Sequence, residues 1–246
     1  VIALPPIPFD RRLGRHQHFD EKSRAHPIRT ELEAVPQVPR SYTWRCKDNL
    51  DQGDVGACVG FSIAHEIAAR PVEADLLVDF GLAMEIYHMG QDRDPWPGRD
   101  YEGTSVLAGI QAAVELGWYT GYKWAFGLRD VVMTIAYKGP VVLGIPWLGD
   151  MFDPDDKGVI HYSGGYAGGH AILANRSMCY WPPSIRGVSR TFENLDRDAS
   201  MVGLHNSWGR DWGTEGECLI SLRDLDLALR QGGEACVPVG RRKVAA

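Results

Sequence analysis

Gln52-Gly53-Asp54-Val55-Gly56-Ala57-Cys58-Val59-Gly60-Phe61 sets a cysteine between a glycine-rich turn and an apolar run. Phe61, Ala64, Ile67 and Ala68 recur at helical spacing and Pro71 stops the run, which predicts a helix from about Cys58 to Arg70. A thiol at the start of that helix faces unpaired backbone N–H groups and the positive end of the helix dipole. Both favour the thiolate, the nucleophilic form. Gln52, upstream in the same turn, can fold its side-chain amide back to that point. With the backbone N–H of Cys58 it makes two donors able to hold an oxyanion. A cysteine read alone is as well explained by burial under a loop; the rest of the chain decides against that.

The chain has 246 residues, 44% of them hydrophobic and 24% charged, enough for one large domain or two small lobes around a sizeable core. A net charge of −6 disfavours nucleic acid or an anionic membrane as partner. The short basic cluster Arg241-Arg242-Lys243 reads as a solvated end. No apolar stretch approaches the roughly 20 residues of a membrane span. Val1–Pro6 has neither the basic leader nor the long apolar core of a secretory signal. The five cysteines, Cys46, Cys58, Cys179, Cys218 and Cys236, leave one unpaired within the chain, and their spacing demands no bridge. Free thiols in a reducing compartment, cytoplasmic or virion-associated, are the expectation.

Residues 1–40 stand apart. They hold six of the fifteen prolines and carry a charge of +2, against −8 for the remainder. Without helical or strand periodicity they read as an extended arm, over residues 1–35, that packs on the body or docks on a partner protein. His16 and His18 read as solvated parts of it. Pro39–Arg45 is a short extended segment. Beyond the Cys58 helix, Leu76, Leu77, Phe80, Ala83, Met84 and Tyr87 predict a helix from Glu73 to Met89. Thr104 or Ser105 caps a third helix, with Gly117 as its stop. Leu128–Lys138 predicts a fourth, ended by Gly139-Pro140. From there strands take over: Val141–Ile145, Gly158–Tyr162, Ala171–Ala174, Met201–Leu204 and Glu217–Ser221. Segregated helices and strands argue an α+β fold in two lobes. The helical lobe spans about 48–127 and the strand lobe about 36–47 and 128–246.

Three places carry chemistry: Gln52…Cys58, the strand start Gly168-Gly169-His170-Ala171, and His205-Asn206-Ser207-Trp208-Gly209 with Trp212-Gly213 and Gly216 behind it. A cysteine nucleophile needs an imidazole partner and a group that holds that ring in one tautomer. Cys, His and Asn supply those three jobs.

In these motifs and their order the chain resembles the papain-like cysteine peptidases, over most of its length from about Pro36. Tyr101-Glu102-Gly103-Thr104-Ser105 is similar to the corresponding segment of bacterial members, and the chain as a whole to a minimal bacterial or phage-like one. The resemblance implies a helical lobe and an antiparallel, β-barrel-like lobe with a cleft between them. It implies Cys58 as nucleophile, His170 as its ion-pair partner and general acid/base, Asn206 as the group orienting His170, and Gln52 as oxyanion donor. Trp208 would shield the Asn–His contact from water, and Gly103 would sit where an extended substrate strand pairs. The activity implied is hydrolysis of peptide bonds in a peptide or protein substrate, through a thioester acyl-enzyme and without metal or organic cofactor. An amine acceptor in place of water would make the same chemistry transpeptidation. A non-enzymatic docking component of a larger assembly is the rival reading, motivated by the arm.

The chain also departs from the family. Val55 stands where many members have a disulfide-forming cysteine, Val59 where a tryptophan follows the nucleophile, and His205 where a lysine is common. The long segment Ser177–Ser200 reads as a loop beside the cleft or a hairpin extension of the strand lobe. The remaining histidines show no metal-ligand spacing, and Gly164–Gly169 lacks the Lys-Ser/Thr of a phosphate loop. Gly-x-Ser-x-Gly, the mark of a serine hydrolase, is absent.

Overall fold

The computed structural model describes residues 10–47, 49–69, 78–183 and 189–241. A short helix, α1 (Arg29–Leu32), lies in the arm, and β1 (Tyr42–Thr43) in the extended segment after it. The helical lobe follows: α2 (Cys58–Ala68), α3 (Phe80–Gln91) and α4 (Val106–Glu115). Every residue of α2 is buried. It is surrounded on every side: α2 packs on α3, α4 and the central sheet. Glycines allow this closeness. A Cβ at Gly60 would lie 2.2 Å from Ala83 O, and one at Gly109 would lie 2.5 Å from Val59 Cγ1. Val59 therefore points into this core and not into the cleft, so the residue after Cys58 shapes helix packing.

Of the two caps expected for α4, Ser105 does the work, its Oγ accepting from Ala108 N–H at 3.1 Å. Gly117 follows at φ +82°. The helix expected from Glu73 starts at Phe80, because extended Asp79 caps it through Leu82 N–H at 2.9 Å. Residues 70–77, Pro71 among them, lie outside the described residues.

The remaining elements are β2 (Gly121–Trp124), α5 (Leu128–Tyr137), β3 (Val141–Leu148), β4 (Val159–Ile160), β5 (Tyr166–Met178), β6 (Met201–His205), β7 (Glu217–Ser221), α6 (Leu222–Arg230) and β8 (Glu234–Val239). Among the described residues they form one sheet in the order β2-β8-β3-β5-β6-β7-β4, with β1 paired to β5. All pairs are antiparallel except β4 with β7. The result is the α+β fold expected. β5 runs well past Ala174 because its first half pairs with β3 and its second with β6. β2 falls inside the stretch assigned to the helical lobe, yet it belongs to the sheet through β8.

The sheet separates two cores. One gathers Val131, Ile135, Leu143, Ile145, Trp147, Leu204 and Leu225, with α5 and α6. The other joins Phe61, Ile63, Ile86 and Ile110 of the helices to Val142, Ala171, Leu173 and Cys236 of the sheet. The arm is part of the first core through Leu13, Ile28 and Leu32. Each such side chain contributes roughly 1.5–3 kcal/mol on burial, which ties the arm to its own chain.

Two expectations about charged ends are corrected here. Arg241 is not solvated: it is buried against Glu66 of α2, whose carboxylate also accepts the Tyr119 hydroxyl. His16 is not solvated either, since its ring packs on Trp96 at 5.1 Å and its Nε2 lies 2.6 Å from Glu102 O. His18 also faces Trp96. None of the five cysteines, all among the described residues, is in a disulfide.

Candidate active site

The turn before α2 is built on local rules. Asp51 Oδ1 accepts from Gly53 N–H at 2.9 Å, and Gly53 takes φ +60°, a conformation glycine adopts at no steric cost. The turn delivers Cys58 to the first position of α2. The thiol sulfur accepts from Ala171 N–H at 3.3 Å. It is fully buried, and burial pushes its pKa up to about 11 against the pull of N–H donors from Ala171, Gly14 and Val59.

Strand register places the imidazole. His170 pairs with Ile145 across β3–β5, and Leu173 pairs with His205 across β5–β6, so Asn206 reaches back to His170. His170 Nε2 lies 2.8 Å from Asn206 Oδ1. The same oxygen accepts from Ser207 N–H at 2.9 Å, which fixes the amide orientation and puts the proton on Nε2. His170 Nδ1 is buried without a hydrogen-bond partner. The ring sits between Trp147 at 4.7 Å and Trp208 at 4.8 Å. Burial lowers its pKa to about 4; the Asn206 bond opposes this and the Arg12 guanidinium adds to it. Thiol and imidazole are thus brought to one place, burial favouring the neutral form of each, with no hydrogen bond between them.

Gln52 is anchored by its own carbonyl oxygen, Oε1, which accepts from Ser207 Oγ at 2.6 Å. Its Nε2 donates to Val55 O at 2.5 Å and to the backbone carbonyl of Arg12 at 3.0 Å. That second partner belongs to the arm, which runs through the site. Thr104 N–H donates to Gly14 O at 2.8 Å, His16 N–H to Thr104 O at 2.9 Å, and Arg15 N–H to Gly169 O at 3.0 Å. The Arg12 guanidinium lies 4.4 Å from the Trp208 ring.

Glycines make this crossing possible. A Cβ at Gly14 would lie 1.8 Å from Gly56 O, one at Gly103 2.3 Å from Gly14 O, and one at Gly169 2.1 Å from Arg15 O. Beside Gly103 it is Thr104 that pairs with the arm in an extended register, through Gly14 O and His16 N–H. Gly103, at φ +98°, provides the close approach and donates its N–H to the Tyr87 hydroxyl at 3.0 Å.

Sequence reading missed several participants. Glu102 Oε2 accepts from Gly56 N–H at 2.9 Å while its Oε1 pairs with Arg11 at 3.2 Å, joining turn and arm. Trp147 walls His170; it lies past the apolar run Val141–Ile145 from which the strand was read, because β3 continues to Leu148. Nothing local marked Arg12, Gly14 and Arg15 as cleft residues. In the Ser177–Ser200 segment, Phe192 and Leu195 are buried in the first core and Trp181 packs against it. Residues 184–188 lie outside the described residues. Among those described, no cluster of His, Cys, Asp or Glu could hold a metal ion, and no helix is long and apolar enough to cross a membrane.

No protein-family model and no curated protein matches this sequence. Solved structures do resemble the fold. Xylellain, a cysteine protease from Xylella fastidiosa, matches with a TM-score of 0.64 at 15% identity over 98% of this chain and 100% of that one. ProCathepsin B S9 from Trypanosoma congolense matches at 0.57 and 14% over 94% and 83%. Procathepsin L 3 from the larval midgut of Tenebrio molitor matches at 0.55 and 14% over 94% and 76%. The fold is papain-like.

Proposed function

We propose that this chain is a papain-like cysteine peptidase held closed by its own arm. The observation that carries the reading is the Arg12 carbonyl on Gln52 Nε2, with Gly14 beside the Cys58 thiol and the His170–Asn206 pair behind it. A peptide segment occupies the place where a peptide would react.

With the arm displaced, water returns and the charged forms of thiol and imidazole are no longer penalised by burial. His170 Nδ1, the ring nitrogen left without a partner, takes the thiol proton. Cys58 Sγ attacks a peptide carbonyl, and Gln52 Nε2 and the Cys58 N–H hold the oxyanion. His170 gives the proton to the leaving amine as the C–N bond breaks, leaving a thioester. Water then attacks that thioester with His170 taking its proton, and the thiol is regenerated with release of the acid. Asn206 keeps the ring in the productive tautomer. Trp147 and Trp208 keep water from the His170–Asn206 bond, which strengthens it at lower local dielectric.

The test is cleavage of a fluorogenic peptide library by the full chain and by its Gly14→Val variant, alongside a stoichiometric thiol-trapping epoxide. We expect cleavage by the variant and epoxide on Cys58 alone. Equal labelling of all five cysteines, or intact peptides with an accessible Cys58, sinks the reading.

A further inference from the structure

Val55 C=O and Gly56 N–H belong to one peptide unit, and both of its polar ends are engaged. Gly56 N–H donates to Glu102 Oε2 at 2.9 Å. On the other side Val55 O accepts from Gln52 Nε2 at 2.5 Å and from Ala57 N–H at 2.7 Å. The N–H and C=O of a trans unit point in opposite directions. The Glu102 carboxylate and the Gln52 amide therefore meet across a single plane. Gly56 is buried, and the lack of a side chain lets the carboxylate reach its N–H: a Cβ there would lie 3.1 Å from both Glu102 Oε2 and Gly103 N. No disulfide ties this turn, so its hydrogen bonds set the tilt of the plane.

Gln52 Nε2 carries two hydrogens. One goes to Val55 O and the other to the Arg12 carbonyl, which stands where the mechanism above puts the oxyanion. Ser207 Oγ holds the far end of the amide, Oε1, at 2.6 Å. An amide held at that end alone can pivot; the bond to Val55 O stops the pivot and so aims the second hydrogen. A carboxylate on Gly56 N–H makes a charge-assisted bond, polarises the peptide and strengthens Val55 O as an acceptor. The arm touches both ends of this chain of bonds, with Arg11 on Glu102 Oε1 at 3.2 Å and the Arg12 carbonyl on Gln52. Its contact is with Oε1, whereas Gly56 uses Oε2, so the path from Glu102 to Gln52 survives departure of the arm.

We propose that Glu102 is a positioning residue for the oxyanion, acting through the Val55–Gly56 peptide to aim the Gln52 amide. This rests on the peptidase reading above. Without the carboxylate, Gly56 N–H loses its acceptor, the plane tilts, and Gln52 turns away from the developing charge. The bond lost is one made in the transition state, so the effect falls on kcat and not on KM.

The test uses the full chain carrying Gly14→Val and one fluorogenic peptide. Glu102→Ala should lower kcat by about tenfold or more, part of the roughly 10²–10³-fold that a whole oxyanion donor contributes, with KM changed by less than about twofold. Glu102→Gln keeps an acceptor and loses the charge, and should recover much of that loss. With Gln52→Ala already in place, Glu102→Ala should cost less than about twofold, because the one residue acts through the other. A loss that is the same with and without Gln52, or that appears in KM alone, overturns the proposal. A turnover-free measurement separates it from the peptidase reading: the Gln52 side-chain amide signal in the nitrogen-edited NMR spectrum of the same opened chain, with and without Glu102→Ala. A shifted or broadened signal in a chain that cleaves no peptide leaves Glu102 holding Gln52 and the peptidase reading fallen. An unmoved signal overturns the role of Glu102 whether or not the chain cleaves.

Discussion

Gln52 Nε2 donates to the carbonyl oxygen of Arg12 at 3.0 Å, so the donor assigned to an oxyanion is already engaged by an amide of the same chain. The arm is held on both sides of the thiol: by Gln52 and Trp208 at Arg12, and by Thr104, Gly169 and Glu234 at residues 14–16.

The weakest point of that hold is Gly14. A Cβ there would lie 1.8 Å from backbone Gly56 O, which has no freedom to move aside. Overpacking of this kind costs about 1–3 kcal/mol, roughly a 5- to 150-fold shift from closed to open. Gly14→Val should raise the rate of epoxide labelling at Cys58, and of peptide cleavage, by a factor in that range. Equal rates in both proteins would show that the arm is no barrier.

Thiol titration reports the same transition. In the closed chain burial holds the Cys58 thiol near 11, so it should alkylate with an apparent pKa far above neutral. In Gly14→Val, hydration and an imidazolium partner both favour the thiolate, and the apparent pKa should fall by several units. Iodoacetamide rates across pH, with peptide mapping on Cys58, decide it; superimposable profiles would count against arm-controlled burial.

If the chain is the peptidase proposed above, His170→Ala in the opened form should lower kcat by about 10²–10⁴-fold, the usual contribution of a general acid/base. Asn206→Ala should lower kcat less, with KM little changed, because it frees the ring to turn or change tautomer. If KM alone moves, Asn206 has a binding role instead.

The buried Arg241–Glu66 pair predicts a stability effect far from the cleft. Arg241→Ala leaves the Glu66 carboxylate inside the protein without its cation, a loss of about 3–5 kcal/mol. Urea denaturation measures this. Glu66→Leu with Arg241→Met should recover much of the loss, and no recovery would mean that the pair does more than neutralise itself.

A second histidine gives a pH signature. Burial opposes the charge on His205, but hydrogen bonds to Cys46 and Glu217 outweigh it and hold its pKa at about 10. His65, whose ring centroid is 4.4 Å away, stays neutral and accepts from Leu50 N–H. The folded pKa of His205 lies above the unfolded value of about 6.5. Its stabilisation is therefore complete below that value and is lost as pH rises through 10. Tm should fall over that alkaline window, and Glu217→Gln should flatten the fall. An equally steep fall in the variant would remove Glu217 from the account.

What was legible in the sequence was what local rules govern. The Gln52–Cys58 turn, the α4 cap at Ser105, the α5 run and the strand start at Met201 each announce themselves by spacing or residue type, whereas β5 begins at Tyr166, ahead of the His170 start that the glycine-rich stretch suggested. What stayed hidden was set by contacts between distant residues. Gly14, Gly56, Gly103 and Gly169 matter to one another only because the arm threads between them, and their contacts are mostly backbone. Val59 reads only as a departure from the family's tryptophan until Gly109 is found against it. β8 contains Pro238, and β2 is only four residues long, so neither carries a strong strand pattern. Arg241 looks like a tail until Glu66 meets it inside the protein.

β8, the last strand in chain order, lies between β2 and β3. The arm precedes this strand in the chain and is synthesised before it, so the sheet that positions His170 is completed only when the arm is already present. Because blocker and cleft share one chain, the blocker acts at a fixed effective concentration that dilution does not lower. On the peptidase reading proposed above, the chain folds with its cleft occupied, and a cut in the arm or a displacing partner is the event that would set it working.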